Sequence, residues 1–203
     1  YFVQEGLAFR FTPFNYKKWG DAERDNGYAI DTEKFYENVM NRYKYGGLDT
    51  PGLYLDETTM RICYSHRRLF AQLAKELVKQ GDNARAQKVL AYAEQAIPAY
   101  NVPQVYESGS YDIATAYASI GETGKAITLL NDLISESRDY IDWAFSLGDS
   151  RIEMVQRDCL YKFWQWNQCN ELLKDMDKER YKQSNQQFEE KYMRLAQLMN
   201  YQN

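Results

Sequence analysis

The chain has 203 residues with 25 basic and 29 acidic side chains, a formal charge of −4. That length supports one domain or two small ones with a self-sufficient core, and the charge provides no basic field of the kind nucleic-acid binding uses, which excludes that partner class. Only four Pro and eleven Gly interrupt a composition rich in Ala, Leu, Gln, Glu and Lys, so helix is the expected state of most of the chain.

Residues 1–30 read as an extended N-terminal arm. Apolar Leu7, Phe9 and Phe11 alternate with Ala8, Arg10 and Thr12 before Pro13, the two-residue period of a half-buried strand. The polar, Gly-broken stretch 15–28 is turn-like. A strand here needs a partner, either a segment upstream of the chain or a hairpin with residues 28–30. A chain that opens on Tyr1 rather than Met is expected to be a piece of a longer one.

Residues 31–203 read as a helical repeat domain. Asp31 or Thr32 caps a first helix with Phe35, Val39, Met40 and Tyr43 on one face, stopped by Gly46 and Gly47. A Pro51–Gly52 turn follows. Asp56 then caps a long helix to about Gln80, with Ile62, Cys63, Phe70, Leu73, Ala74 and Leu77 as its buried stripe.

The stretch GDNARAQKVL beginning at Gly81 returns as GETGKAITLL beginning at Gly121. A tetratricopeptide-type unit over 67–98 puts Gly81 at its turn and Ala86, Leu90 and Ala93 on its second helix, where small residues let two backbones approach. A second unit over 107–138 puts Ile113, Ala114 and Tyr117 on its first helix, then Gly121, Ala126, Leu130 and Leu133. A third hairpin over 150–202 opens on the Ser150–Glu153 capping box. Its first helix carries Ile152, Val155, Cys159, Phe163, Trp166, Leu173 and Met176 inward, and its second carries Tyr181, Phe188, Tyr192, Leu195 and Met199. The expected fold is all-α: tetratricopeptide-like antiparallel hairpins stacked as a short right-handed solenoid, with an unrelated antiparallel bundle as the alternative.

Arg61, Arg68, Lys75 and Lys79 are spaced to share one side of the long helix. In a repeat stack, Arg68, Lys75 and Lys79 take groove positions and Tyr111 and Thr115 take the equivalent places in the next unit. Cations beside a tyrosine suit a carboxylate, an acidic peptide or a sugar phosphate; a solvated charged face is the competing reading. Trp19, Trp143, Trp164 and Trp166 are assigned to helix junctions, with stacking on sugar rings the alternative.

No motif supports a catalytic centre, a metal or a cofactor. His66 is the single histidine and is read as a surface or satisfied helix residue. Cys63, Cys159 and Cys169 lack CxxC spacing and are read as buried thiols. Asp56 and Glu57 belong to a helix start. Glu107 and Asp112, five apart, are the one carboxylate pair considered for glycan processing, and they diverge on a helix. No apolar run approaches the roughly 20 residues that span a bilayer.

The segments GLAFRFTPF, PGLYLDETTMR, RRLFAQLA and AIPAYNVPQVYESGS resemble the C-terminal soluble region of a bacterial family of multi-pass membrane proteins whose membrane part is similar to protein O-mannosyltransferases. The resemblance runs through most of the chain and carries no residue-level roles. It implies a periplasmic accessory region tethered to the inner membrane through an upstream membrane domain, in a protein whose lipid-linked-sugar glycosyltransferase chemistry lies in membrane loops absent here. The expected function is a non-catalytic helical-repeat module that binds a protein, peptide or glycan. A small glycan-processing enzyme and a purely structural self-association domain are the alternatives.

Overall fold

The computed structural model describes residues 1–13, 28–149 and 151–200. The described residues are mostly helical, with 72% of them in helix and little strand. The chain falls into two compact units, Tyr1–Pro103 and Gln104–Asn203. The strands of the N-terminal arm lie within the first compact unit.

The first unit opens on a small sheet in the order β2-β1-β3. Strand β1 (Phe2–Gln4) pairs antiparallel with β2 (Phe9–Phe11) and parallel with β3 (Ala29–Ile30). Two expectations are corrected here. The partner of Phe9 and Phe11 is β1, and residues 29–30 join β1 rather than forming a hairpin with β2. The buried strand is also β1, through Val3 and Gln4, while Phe9 and Phe11 are exposed. Alternation of apolar residues in β2 reports a strand correctly but not which strand is covered. Gln4 reaches Gln72, its Nε2 donating at 2.9 Å, which ties the sheet to the long helix. The turn-like stretch that includes Trp19 lies largely outside the described residues.

Helix α1 (Thr32–Glu37) is capped by Asp31, whose side chain accepts from the Lys34 N–H. It continues as a π-helical turn over Asn38–Arg42, with Phe35 and Val39 buried. The chain is extended by Tyr43, so the helix stops before Gly46 and Gly47, which shape the following loop instead. Helix α2 (Glu57–Lys79) starts at the predicted cap, Asp56 accepting from Thr58 N and Thr59 N. Its core stripe is as expected apart from Ile62, which is 54% exposed. Helix α3 (Asn83–Ala96) packs back against α2.

In the second unit, α4 (Ser110–Ser119) packs on α5 (Thr123–Ser146), α5 on α6 (Gln156–Met176), and α6 on α7 (Lys178–Asn200). Trp166, Phe163, Cys159, Cys169 and Leu173 of α6 lie at the centre of its core, closed by Leu195 of α7 and by Leu130, Leu133 and Ile141 of α5. Residue 150 lies outside the described residues; the segment after it opens as a 3-10 turn, Ile152–Val155, before α6 begins.

The two predicted repeat turns have the same construction. Gly81 has φ +78 and Gly121 φ +84. Asp82 N donates to Leu77 O at 2.9 Å and Glu122 N to Tyr117 O at 3.0 Å. Both are left-handed closures in which glycine avoids the Cβ penalty. Ala74, Ala86, Ala114 and Ala126 are fully buried at the helix contacts. The helix lengths differ between the two. In the first hairpin Pro98 follows soon after α3, and the chain turns through residues 98–102. In the second no proline follows, and α5 continues to Ser146.

Candidate functional site

The predicted cationic row lies on α2 and its four members are solvent-exposed, but most are engaged locally. Arg61 pairs with Glu57 at 2.6 Å and Lys79 with Glu76 at 3.0 Å. Arg68 donates to Ser65 Oγ at 3.1 Å. Ion pairs between exposed side chains one helical turn apart are worth about 0.3–0.5 kcal/mol, so these contacts organise the face without converging on a point. Tyr111 and Thr115 are in the other compact unit, on α4, and the Thr115 hydroxyl donates to the Tyr111 carbonyl of its own helix. The six candidates are therefore divided between the units, four in one and two in the other.

Residues considered for chemistry have structural employment. The three cysteines are buried and free, and burial raises each thiol above its ordinary value, that of Cys169 to about 12. His66 is edge-on to Tyr43 and Tyr45, and burial lowers its pKa. Glu107 and Asp112 lie on different elements, a 3-10 turn (Tyr106–Ser108) and α4. The Glu107 carboxylate accepts from Gln165 Nε2 at 2.6 Å and lies 3.7 Å from Lys162 Nζ. Among the described residues no group of His, Cys, Asp and Glu is placed to hold a metal, and no helix is long and apolar enough to cross a membrane.

The side chains that do gather form an aromatic shelf in the second unit. Gly109, at φ +84, turns the chain from the 3-10 turn into α4. That reversal lays the Tyr106 ring on Tyr111, centroids 5.1 Å apart. On α6, Tyr161 and Trp164 are three residues apart and share a face; their rings stack at 5.6 Å and 15°, and each is 47% exposed. Tyr106 meets Trp164 edge-to-face at 5.3 Å, joining the two pairs into one surface. Burial pushes the Tyr106 and Tyr111 phenols above their ordinary range, so both are neutral donors at physiological pH.

Polar groups rim this surface and hold it still. Lys162 Nζ donates to both carboxylate oxygens of Glu136 at 2.9 Å while facing Glu107. Gln165 is fully buried, donates to Glu107, and leaves its Oε1 without a hydrogen bond. Beneath, Trp166 Nε1 donates to Ser184 Oγ at 2.8 Å, and that hydroxyl donates to Asn170 Oδ1 at 2.6 Å, locking α6 to α7. Of the predicted tryptophans, Trp166 fills the core as expected, whereas Trp164 and Trp143 are about half exposed. Tyr106 and Tyr161 are not among the residues expected from the sequence to form a site. The signal for Tyr161 is present in YKFWQW, where Tyr161 and Trp164 fall on one face and Phe163 and Trp166 on another.

No family model matches the chain, and no curated protein and no solved structure matches it.

Proposed function

We propose that the protein is a non-catalytic interaction module built of helical hairpins, and that its aromatic shelf binds glycan. The observation that carries this reading is the Tyr161–Trp164 stack, half exposed and continuous with Tyr106 and Tyr111. An isolated surface tryptophan needs no explanation, but several rings held in contact with exposed faces offer a flat apolar platform. The axial C–H face of a sugar ring fits such a platform. Its equatorial hydroxyls need both donors and acceptors at the edge, which Lys162, Glu107 and the tyrosine hydroxyls supply.

Binding is favoured over turnover by the state of the polar groups. Glu107 accepts from Gln165 Nε2 and faces Lys162 Nζ, so its carboxylate is already engaged as a hydrogen-bond acceptor within the rim. The finer architectural reading is that the hairpins are tetratricopeptide-like and form a short right-handed solenoid. The matching turns at Gly81 and Gly121 and the buried alanines at Ala74, Ala86, Ala114 and Ala126 support it. The family resemblance carried by GLAFRFTPF, PGLYLDETTMR, RRLFAQLA and AIPAYNVPQVYESGS supports a periplasmic accessory role beside an upstream membrane domain.

The test is an oligosaccharide panel titrated against the protein and read by calorimetry. Trp164→Ala and Tyr161→Ala are each expected to weaken the best ligand at least about tenfold, or about 1.4 kcal/mol. Trp143→Phe, outside the shelf, is expected to bind as the parent does. Unchanged affinity in the Trp164 and Tyr161 variants, or no binding across the panel, overturns the reading.

A further inference from the structure

A second site is built into the first unit, from residues none of which belongs to the aromatic shelf. Between the π-helical turn, the loop that follows it and the last turns of α3 lies a hollow of about 300 Å³. That is the lower end of the roughly 300–1,000 Å³ of small-molecule sites, so it suits a ligand of one or two rings rather than a chain. The hollow forms because the π-helical turn over Asn38–Arg42 ends in extended backbone at Tyr43, and Gly46 and Gly47, at φ +62 and +76, carry the loop round its rim.

The walls are fixed before any ligand arrives. The Tyr45 hydroxyl donates to Val39 O at 2.9 Å. Asn101, nearly buried, donates its amide to Leu48 O and Thr50 O at 2.8 and 2.6 Å. The Tyr100 hydroxyl donates to Asp49 O at 2.6 Å. The Tyr45 ring packs against Phe70, Tyr92 and His66. A pocket whose loop is pinned at both ends avoids part of the ordering cost of binding.

The lining selects the ligand class. Lys44 and Asp49 give it one charge of each sign, so neither an anion nor a cation is favoured overall. Among the described residues the side chains of Lys44, Asp49 and Gln95 make no hydrogen bond or ion pair, which leaves a donor, an acceptor and an amide that is both. Tyr43, Tyr45 and Tyr92 add aromatic surface. A neutral ring with an apolar C–H face and hydroxyls that donate and accept meets all of these demands at once. We infer that the hollow lined by Tyr45, Tyr92, Lys44, Asp49 and Gln95 binds a single sugar residue of hexopyranose size.

The test is a titration of the isotope-labelled full chain with a panel of methyl hexopyranosides, followed by amide NMR. The expected result is a saturable shift confined to the Gly46 and Gly47 amides and the Gln95 side-chain amide, at an affinity of about 1 mM, ordinary for a small neutral ligand. Gln95→Leu and Lys44→Ala alter exposed side chains, so they are expected to fold normally and to weaken binding about tenfold. Tyr92→Ala should abolish the shifts, and the two exposed variants cover the case in which loss of that ring unfolds the loop. Trp164→Ala is expected to leave this binding unchanged. Absence of saturable shifts at Gly46, Gly47 and Gln95 overturns the inference, as does binding that survives both Gln95→Leu and Lys44→Ala. Shifts confined to the Trp164 indole overturn this site while supporting the aromatic shelf.

Discussion

Arg67 is the most consequential side chain in the first unit, although it is one of three consecutive basic-type residues in SHRR. It is buried, and its guanidinium donates to Pro103 O at 2.8 Å, Val102 O at 2.6 Å and Ile97 O at 3.2 Å. These carbonyls follow the end of α3, where no further helical turn supplies N–H donors. Burial lowers its pKa to about 10, which still leaves it cationic at neutral pH. Arg67→Ala strips the donors from several buried carbonyls at once and is expected to lower the unfolding free energy by about 3 kcal/mol. Arg67→Lys retains the charge without the planar fork and is expected to fall between the parent and the alanine variant. Urea denaturation measures both. A cost for Arg67→Ala no larger than that of Arg68→Ala, which removes an exposed arginine, would contradict this role. Neighbouring Arg68 was the residue that spacing singled out, because periodicity identifies a shared face and carries no information about which arginine finds carbonyls in a loop some 30 positions away.

The helix elements were the most legible part of the chain. Asp56 before Glu57, Gly81 after α2 and Gly121 after α4 were each readable because caps and left-handed closures depend on a few adjacent residues. A Cβ at Gly81 or Gly121 meets nothing within 4 Å, so replacement by alanine costs only the backbone term. Gly81→Ala and Gly121→Ala are therefore expected to destabilise by the same amount, about 1 kcal/mol each. Gly124, in the first turn of α5 and equally uncrowded, should instead tolerate alanine with a small gain of about 0.5 kcal/mol. Thermal melts of the three variants separate a conformational requirement from simple loss of flexibility; a stabilised Gly121→Ala would show that the two turns are not equivalent. The strands were less legible. Alternation in GLAFRFTPF marked β2, yet its partner β1 is three residues long and its third strand only two, too short for any periodic signal.

Across the whole molecule, each compact unit carries its own set of buried side chains. Phe35, Phe70, Leu73, Leu77 and Leu90 belong to the first, and Leu130, Phe163, Trp166 and Leu173 to the second. Trp166 is fully buried and also joins the Ser184–Asn170 hydrogen bonds. Trp166→Ala is expected to cost about 3–5 kcal/mol, and its hydrogen-exchange protection should drop in α5, α6 and α7 more than in α2 and α3. Equal loss in both units would mean that they unfold as one. The sequence alone was sufficient for the helical class, the glycine turns at Gly81 and Gly121 and most of the core stripe, since each follows from a period or a cap written in neighbouring residues. Only the tertiary structure decided that Arg67 is buried, that most of the cationic row is engaged by near neighbours on its own helix, that Tyr106 reaches Trp164, and that the loop after α1 encloses a hollow. Those outcomes are contacts between positions far apart in the chain, and no local pattern encodes the distance between them.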